Sequence, residues 1–375
     1  MHAGAALASG PLAPEPEPEA TRGELDAPVA LAAADVDESA GPGTAASGPG
    51  AQPQPDSLVS PQRAPTAPSE GRERAAEPRE EGPRVRVSGR VYARASADQR
   101  ADYARDLGVS EARVGLEARY RNLEAEVSAD LSSSALLKDA YVRLADDAKR
   151  YRLYAGQFKA PFLARRLESS WSLPLIRRGL VEDYLVQTHQ LGGRRMGLMG
   201  EVKLDGAWEL RSSVGVFRGA LDEFGEAASE DVAGRVAVQP WKALTLGAST
   251  YLTEAFAGLR NYAGAADATL ELGALRLSAE ASAGRIPVGP FLAQTLLASY
   301  TLPIGASGAW ALQPLLGAEL LQLRGAQAAR GHATVGGLNV LYAELFKAQL
   351  QLERALRPGD EAPGLELSLQ LATRF

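Results

Sequence analysis

The chain has 375 residues, of which 45% are hydrophobic, 23% charged and only 6% aromatic, and its formal net charge is −6. It contains no cysteine, which excludes disulfide frameworks, thiolate nucleophiles and cysteine-ligated metals. The three histidines, His2, His189 and His332, have no metal-binding spacing, so we expect no metal and no other cofactor. The sequence contains no run of about 18 apolar residues, so it predicts no transmembrane helix. It does not exclude a barrel of membrane-spanning strands.

The first 83 residues differ from the rest of the chain. They hold 14 of the 23 prolines, no aromatic residue, no lysine, and 14 acidic residues against 5 basic ones. Such a composition cannot offset the entropy cost of ordering, so residues 1–83 are predicted to be a disordered, acidic, Pro/Ala/Glu-rich segment. A polyproline motif that binds a partner is the alternative. Residues 84–375 carry 35 basic and 32 acidic residues, so this second domain is weakly basic.

From residue 84 onward the hydrophobicity alternates with a period of two, which predicts β-strands. In residues 84–94 one face carries valines and the other carries arginines. Residues 113–120 and 123–131 alternate in the same way around the link Arg121-Asn122, which predicts a hairpin with one apolar face. Similar stretches follow at residues 139–144, 241–254, 270–281, 346–353 and 365–375.

About sixteen such strands fit between residue 84 and the end of the chain. Their apolar faces are rich in Leu, Val, Ala and Gly, and their polar faces carry many charges that would line water. This combination favours an all-β fold, a transmembrane antiparallel β-barrel, over a soluble sandwich with a packed interior. Aromatic residues near the strand ends are predicted to form interfacial girdles, namely Tyr120, Tyr141, Trp208, Trp241, Tyr251, Tyr300, Trp310, Tyr342 and Phe375.

One long stretch, residues 160–190, does not alternate. It combines apolar residues such as Phe162, Trp171 and Ile176 with two arginine pairs. A loop of this size in a compact β protein is functional or disordered, and the apolar anchors argue against disorder. We therefore expect it to fold against the inner wall and narrow the lumen, with its guanidinium groups pointing into water.

Around this stretch the chain resembles the phosphate-selective porins, the O and P porins of Gram-negative outer membranes. The resemblance is carried by LLKDAYVRL (residues 136–144), RLYAGQFKAPF (152–162), LESSWSLPLIRRGL (167–180) and QLGGRRMGLMG (190–200). It implies a sixteen-stranded homotrimeric barrel of the bacterial outer membrane, with an inward-folded loop and passive diffusion of small anions. By position it places Lys159 at the loop entrance and Arg165, Arg166, Arg177 and Arg178 on the constriction.

A second group of arginines lies on the polar faces of the first two strands: Arg84, Arg86, Arg90, Arg94, Arg113 and Arg119. Carboxylates at positions 117, 124, 126 and 130 face them. The two rows fit either a transverse field across a water-filled pore or cross-strand ion pairs that stiffen the wall. Guanidinium groups in a narrow pore would favour small anionic solutes without any chemical step, so we expect a mild anion preference.

The remaining expectations concern partners and location. The last strand, LELSLQLATRF, is predicted to contact outer-membrane lipid and to be read by the barrel assembly machinery through Phe375. No nucleic-acid partner is expected. Residues 1–14 lack the basic start and apolar core of a signal peptide, so the start is misplaced, the presequence has been removed, or the membrane assignment is wrong.

The sequence raises two other functions, an enzyme and a non-conducting barrel. Ser169, Ser170, Asp183 and His189 lie in one stretch, but no nucleophile elbow accompanies them, so we expect no catalytic residues and no enzyme. The alternative to a porin is a non-conducting outer-membrane barrel, plugged by its own loop, whose acidic tail contacts the cell wall or partner proteins.

Overall fold

The computed structural model describes residues 82–206, 208–219, 229–256, 261–305, 308–325 and 328–375. The predicted acidic segment therefore lies outside the described residues, except for Gly82 and Pro83. The strands are β1 (Arg84–Asp98), β2 (Ala104–Tyr120), β3 (Leu123–Asp130), β4 (Leu137–Ala145), β5 (Tyr151–Lys159), β6 (Arg194–Leu204), β7 (Glu209–Arg218), β8 (Glu230–Trp241), β9 (Leu244–Thr253), β10 (Asn261–Leu272), β11 (Leu275–Ile286), β12 (Gly289–Tyr300), β13 (Leu302–Ile304), β14 (Trp310–Leu323), β15 (Ala329–Tyr342), β16 (Phe346–Leu356) and β17 (Gly364–Arg374).

Except for β12 and β13, the strands pair antiparallel with their neighbours in chain order, and the sheet closes on itself. β1 pairs with β2 on one side and with β17 on the other, from Arg90 opposite Arg374 to Asp98 opposite Glu366. β12 and β13 both pair with β14 and are separated only by Thr301, so together they count as one strand of the barrel. The barrel therefore has sixteen strands around its circumference, and the predicted all-β barrel of about sixteen strands is confirmed.

The strand alternation divides the barrel into an apolar outside and a polar inside. On β17, Leu365, Leu367, Leu369 and Leu371 are 36–48% exposed, whereas Glu366, Ser368 and Gln370 are 2–6% exposed. The same division holds on β1 to β3, where valines face outward and Arg90, Arg113 and Glu126 face inward. Because consecutive strand residues point to opposite faces, one register satisfies both environments along the whole sheet.

Helices are short in the described part of the chain. A 3₁₀ turn spans Gln99–Ala101, α1 spans Ala164–Leu167, α2 spans Leu180–Glu182, and one π-helical turn follows at Asp183–Thr188. None of the described helices is long and apolar enough to cross a bilayer.

The two ends of the barrel differ. At the terminal end, where Arg84 and Phe375 lie, two-residue links such as Arg121-Asn122 and Gly273-Ala274 join the strands. At the opposite end, which we call the loop end, β5 and β6 are joined by residues 160–193, hereafter the inner segment. Short turns at one end and longer connections at the other are typical of outer-membrane barrels.

Most of the exposed aromatic side chains lie at the terminal end, whereas Tyr103, Phe256 and Tyr262 are exposed at the loop end. Seven of the nine aromatics predicted to form girdles lie there and are exposed, namely Tyr120, Trp208, Trp241, Tyr300, Trp310, Tyr342 and Phe375. The prediction was wrong for Tyr141 and Tyr251. Both are buried inside the barrel, where they donate hydrogen bonds to Glu126 (2.6 Å) and Asp231 (2.7 Å). A tyrosine can lie on either face of a strand, and a buried tyrosine needs an acceptor for its hydroxyl. For these two residues a carboxylate inside the barrel is that acceptor.

Gly156 marks a close approach between β5 and β4. Its φ is +128°, and an added Cβ would overlap the carbonyl oxygen of Ala140 and lie 2.7 Å from Cα of Tyr141. Neither backbone atom can move without breaking the strand pairing, so this position requires glycine.

Gly156→Ala should therefore lower the free energy of unfolding by at least about 2 kcal/mol. Gly336→Ala is the matched control, because its added Cβ would meet nothing within 4 Å. Heat-dependent electrophoretic mobility of the folded barrel would measure both variants. Equal stability of the two would contradict the role assigned to Gly156.

Candidate functional site

The inner segment returns into the barrel and contacts strands distant from its own. The Ala164 N–H donates to Glu280 on β11 (2.5 Å), and the Val181 N–H donates to Glu319 on β14 (2.9 Å). The carbonyl of Pro174 accepts from Asn339 (2.8 Å) on β15 and from two glutamines of β16. These wall side chains hold backbone groups that would otherwise be unpaired in a buried loop.

Apolar contacts support the same placement. Phe162 packs against Tyr251 on β9, with ring centroids 5.7 Å apart. Leu173 and Leu175 pack in a cluster with Leu297, Leu315 and Val335 from β12, β14 and β15. The apolar residues of the segment therefore dock on inward-facing apolar side chains of the opposite wall, which interrupt its otherwise polar surface.

The five residues assigned to the constriction lie at the inner segment or its start. Lys159 donates to the carbonyls of Leu167 (3.2 Å) and Glu168 (3.1 Å). Arg165 pairs with Glu319, Arg166 pairs with Glu182 (2.8 Å), and Arg177 pairs with Glu366 (2.9 Å). Arg178 donates to the carbonyls of Arg165 and Glu168.

The surroundings of these arginines differ from the expectation that they point into water. Arg165, Arg166 and Arg178 are only 2–8% exposed. A buried guanidinium needs a carboxylate or several acceptors, and here Glu319 comes from a strand more than 150 positions away in the chain. Arg177 remains the most open of the group, with its side chain 31% exposed.

The six lumen-wall arginines all lie on the inward face of β1 and β2. Arg90 bonds Glu111 (2.5 Å), and Arg113 lies 3.7 Å from the same carboxylate. Arg94 donates to Gln370 (2.9 Å), which ties β1 to β17. Arg119 pairs with Glu117 (2.6 Å) and Glu124 (2.8 Å), while Arg84 and Arg86 line the lumen at its terminal end. Several of these arginines therefore form the cross-strand ion pairs considered above.

Two adjoining cavities, of about 650 and 400 Å³, open the lumen at the terminal end. We call them together the vestibule. Ten basic residues and four acidic ones line it, namely Arg84, Arg86, Arg90, Arg113, Arg119, Arg121, Arg143, Lys149, Arg152 and Arg374 with Glu117, Glu124, Glu126 and Glu344. Around the inner segment the described cavities are far smaller, about 10 and 20 Å³. The open, basic space is thus in the terminal half.

Sequence reasoning missed five of the charged vestibule residues: Arg143, Lys149, Arg152, Arg374 and Glu344. Arg143 and Arg152 lie on the inward faces of β4 and β5, and Arg374 is the last inward residue of β17. The alternation of those strands predicts that Arg143 and Arg374 face inward. It does not predict that β17 pairs with β1, which brings Arg374 beside Arg90.

The residues weighed for a catalytic site are not brought together. Ser170 lies 3.5 Å from the Tyr92 hydroxyl, and Ser169 caps the backbone of Trp171. The His189 ring packs on Tyr184, with centroids 4.7 Å apart. No contact in the described ranges joins His189 to either serine, and no group of three described His, Asp or Glu side chains is placed to hold a metal ion.

Comparison with known proteins gives a fold. No family model and no curated protein matches this chain. Solved structures do match. The anion-selective porin from Comamonas acidovorans is 12% identical, with 78% of this chain and 100% of that chain covered and a TM-score of 0.55. The outer-membrane channel DcaP of Acinetobacter baumannii is 13% identical, with 78% and 98% covered and a TM-score of 0.56.

A third match, the trimer form of the outer-membrane protein OmpT of Vibrio cholerae, is 8% identical, with 79% and 100% covered and a TM-score of 0.56. These barrels are similar to the chain across almost their whole length. The protein has the fold of outer-membrane porins.

Glu319 is the wall residue on which the inner segment depends most. Its carboxylate accepts from the Arg165 guanidinium and from the Val181 N–H. Glu319→Gln should weaken the packing of the segment by about 3–5 kcal/mol, because a buried arginine loses its counter-charge. Proteolysis of the folded barrel at the segment arginines would report this as much faster cleavage. Glu344→Gln, which breaks an exposed pair with Arg374, should leave cleavage nearly unchanged.

The segment should also respond to pH through Asp183. Burial, and then the neighbouring Glu182, raise the pKa of Asp183 from 3.8 to about 7. The raised pKa means that the packed segment prefers the neutral carboxyl, so this stability is fully present below pH 3.8, is lost as the pH rises, and is gone above about pH 7. Between the ordinary and raised pKa values, segment opening should increase by up to about tenfold per pH unit.

Asp183→Asn should remove this dependence. The ratio of cleavage rates between the natural chain and the Asn variant, measured from pH 4 to 8, separates the effect from the pH response of the protease. A constant ratio would contradict the assignment.

Proposed function

We propose that the chain is a bacterial outer-membrane porin that lets small, preferentially anionic solutes diffuse through its lumen. The observation that carries the proposal is the vestibule, a water-accessible space inside a closed barrel with ten basic and four acidic lining residues. An excess of positive charge in a confined space lowers the free energy of an entering anion and raises that of a cation.

The outer surface supports a membrane setting. Leucines and valines cover the outward face, and most of the exposed aromatics lie at the terminal end. In water such a surface would be a large apolar patch, whereas in a bilayer it is matched by hydrocarbon. The described sheet closes through the pairing of β1 with β17, as a barrel in lipid requires. Several matched structures are described as outer-membrane channels or porins, and one is in a trimer form, which supports a homotrimer.

The end of the chain supports assembly in that membrane. Phe375 lies on the outward face and bonds through its backbone to Gly89 on β1 (3.0 Å), so the terminal aromatic closes the barrel seam. An outward-facing final strand that ends in an aromatic residue is what we propose the assembly machinery binds.

Phosphate is the specific anion we propose. Arginine presents a planar fork of donors that suits a phosphate oxygen pair, and most of the vestibule cations are arginines. The resemblance at residues 136–200 points to the same solute.

One observation favours the second candidate, a plugged barrel. Around the inner segment the described cavities of about 10 and 20 Å³ hold at most one or two water molecules. In that case the segment would block flow, and the barrel would act as a structural or interaction protein.

Planar-bilayer recording separates the two functions. A porin should give discrete conductance steps whose reversal potential in a potassium chloride gradient favours chloride, and phosphate added to the bath should reduce the chloride current. Folded protein that inserts without steps would instead support the plugged barrel.

Arg86, which lines both cavities of the vestibule, provides the residue-level test. Arg86→Glu should lower the anion-to-cation permeability ratio by roughly threefold. Arg105→Glu is the control, since Arg105 is exposed on the outward register of β2 and lines neither cavity. The same shift in both variants would remove the vestibule from the mechanism.

A further inference from the structure

The outward face of the barrel at its loop end carries an uneven distribution of charge. Four exposed arginines lie there on or beside β11 to β16: Arg285, Arg324, Arg330 and Arg354. We call them the arginine arc. Arg285, Arg330 and Arg354 share the strand face of outward leucines such as Leu277, Leu338 and Leu352, so their side chains point away from the lumen.

Strand pairing makes the arc contiguous. Arg285 lies opposite Pro290 on β12, and the Arg324 N–H bonds the carbonyl of the same proline (2.8 Å). Arg330 lies opposite Gln322 at the end of β14, two residues before Arg324. Arg354 lies opposite Thr334, which is two outward positions along β15 from Arg330. Neighbouring strands are about 4.8 Å apart, so these arginines share one patch of surface.

The arc has no matching negative charge on its own face. The outward positions of β11, β12, β14, β15 and β16 contain no Asp or Glu. None of the four arginines forms an ion pair with a described residue. Elsewhere on the loop end, Arg218 on β7 lies opposite Glu230 on β8, so an outward arginine there has a carboxylate beside it. The arc is therefore a concentration of positive charge that its own strands do not neutralise.

The arc lies about 25 Å above the aromatic end of the barrel, measured along the barrel axis. Ten residues separate Tyr300 from Pro290 on β12, which is about 33 Å along the strand and about 25 Å along the barrel axis for an ordinary strand tilt. The apolar band of an outer-membrane barrel is about 25 Å tall. The arc thus lies at the upper edge of that band, at the level of lipid headgroups, and the aromatic girdle lies at the lower edge.

From these observations we infer that the arginine arc is a binding site for the phosphate groups of an anionic lipid in the leaflet at the loop end. The inference rests on the proposed membrane setting. The lipid chains would cover the outward leucines below the arc, and each phosphate would accept paired hydrogen bonds from a guanidinium. Long arginine side chains can extend along the apolar surface to reach that level.

The test uses the full-length folded chain in dodecyl maltoside micelles, titrated with lipid A, which carries two phosphates. The triple variant Arg285→Gln, Arg330→Gln, Arg354→Gln should bind lipid A about fivefold more weakly for each arginine removed. Arg218→Gln is the matched control and should bind as the natural chain does. Lysine at the three positions should restore most of the affinity, which shows that the loss does not come from misfolding.

Lipid A from which both phosphates have been removed provides the decisive comparison. It should bind the natural chain and the triple variant equally weakly. Equal binding of phosphorylated and dephosphorylated lipid by the natural chain would overturn the inference. So would a triple variant that changes oligomeric state in light scattering with unchanged lipid affinity, since the arc would then contact a second copy of the chain.

Conductance of the same preparations keeps this inference separate from the proposed function. The triple variant should keep the reversal potential of the natural chain, because the arc lies outside the lumen. A natural chain that conducts but binds both forms of lipid A alike would refute the arc alone. Phosphate-dependent lipid binding without conductance would instead refute the pore and leave the arc standing.

Discussion

The structure depends on a single constraint, that each strand residue faces either the outside or the inside and that the sheet has no free edge. β1 pairs with β17 as well as with β2, so the described sheet closes and its strands pair on both sides along most of their length. With the backbone accounted for, the side chains alone decide the environment on each face. Leucines and valines cover one side, and arginines, glutamates and glutamines cover the other.

The polar interior imposes a second requirement: the charges that the inner segment buries must have counter-charges on the wall. The inner segment brings arginines into the lumen, and the walls supply Glu319 and Glu366 as their counter-charges. Its backbone is held in turn by Asn339, Gln349 and Gln351. The segment is therefore fixed by electrostatic and hydrogen-bond contacts that span the barrel. The accessible excess of positive charge lies below it, in the vestibule.

Charge is thus arranged separately on the two surfaces of the same strands. Inside, Arg86 and its neighbours line the vestibule at the terminal end, where the proposed pore would carry solutes. Outside, Arg330 and Arg354 at the loop end are exposed at the level where the proposed membrane would have its headgroups. The period of two allows this separation, because a residue and its immediate neighbour in a strand experience different media.

The sequence by itself determined the barrel. The alternation at residues 84–94 and 365–375 is read from adjacent positions, so strand identity and the outward or inward face of each residue follow without knowledge of the rest of the chain. The inward position of Arg90 and Arg113 and the outward position of Leu367 are of this kind. The tertiary structure alone decided the partners: Arg165 meets Glu319, Arg374 comes beside Arg90, and the hydroxyls of Tyr141 and Tyr251 meet Glu126 and Asp231. Such pairs are far apart in the chain or depend on closure of the sheet, and a pattern of period two carries no information about which strand lies across a lumen.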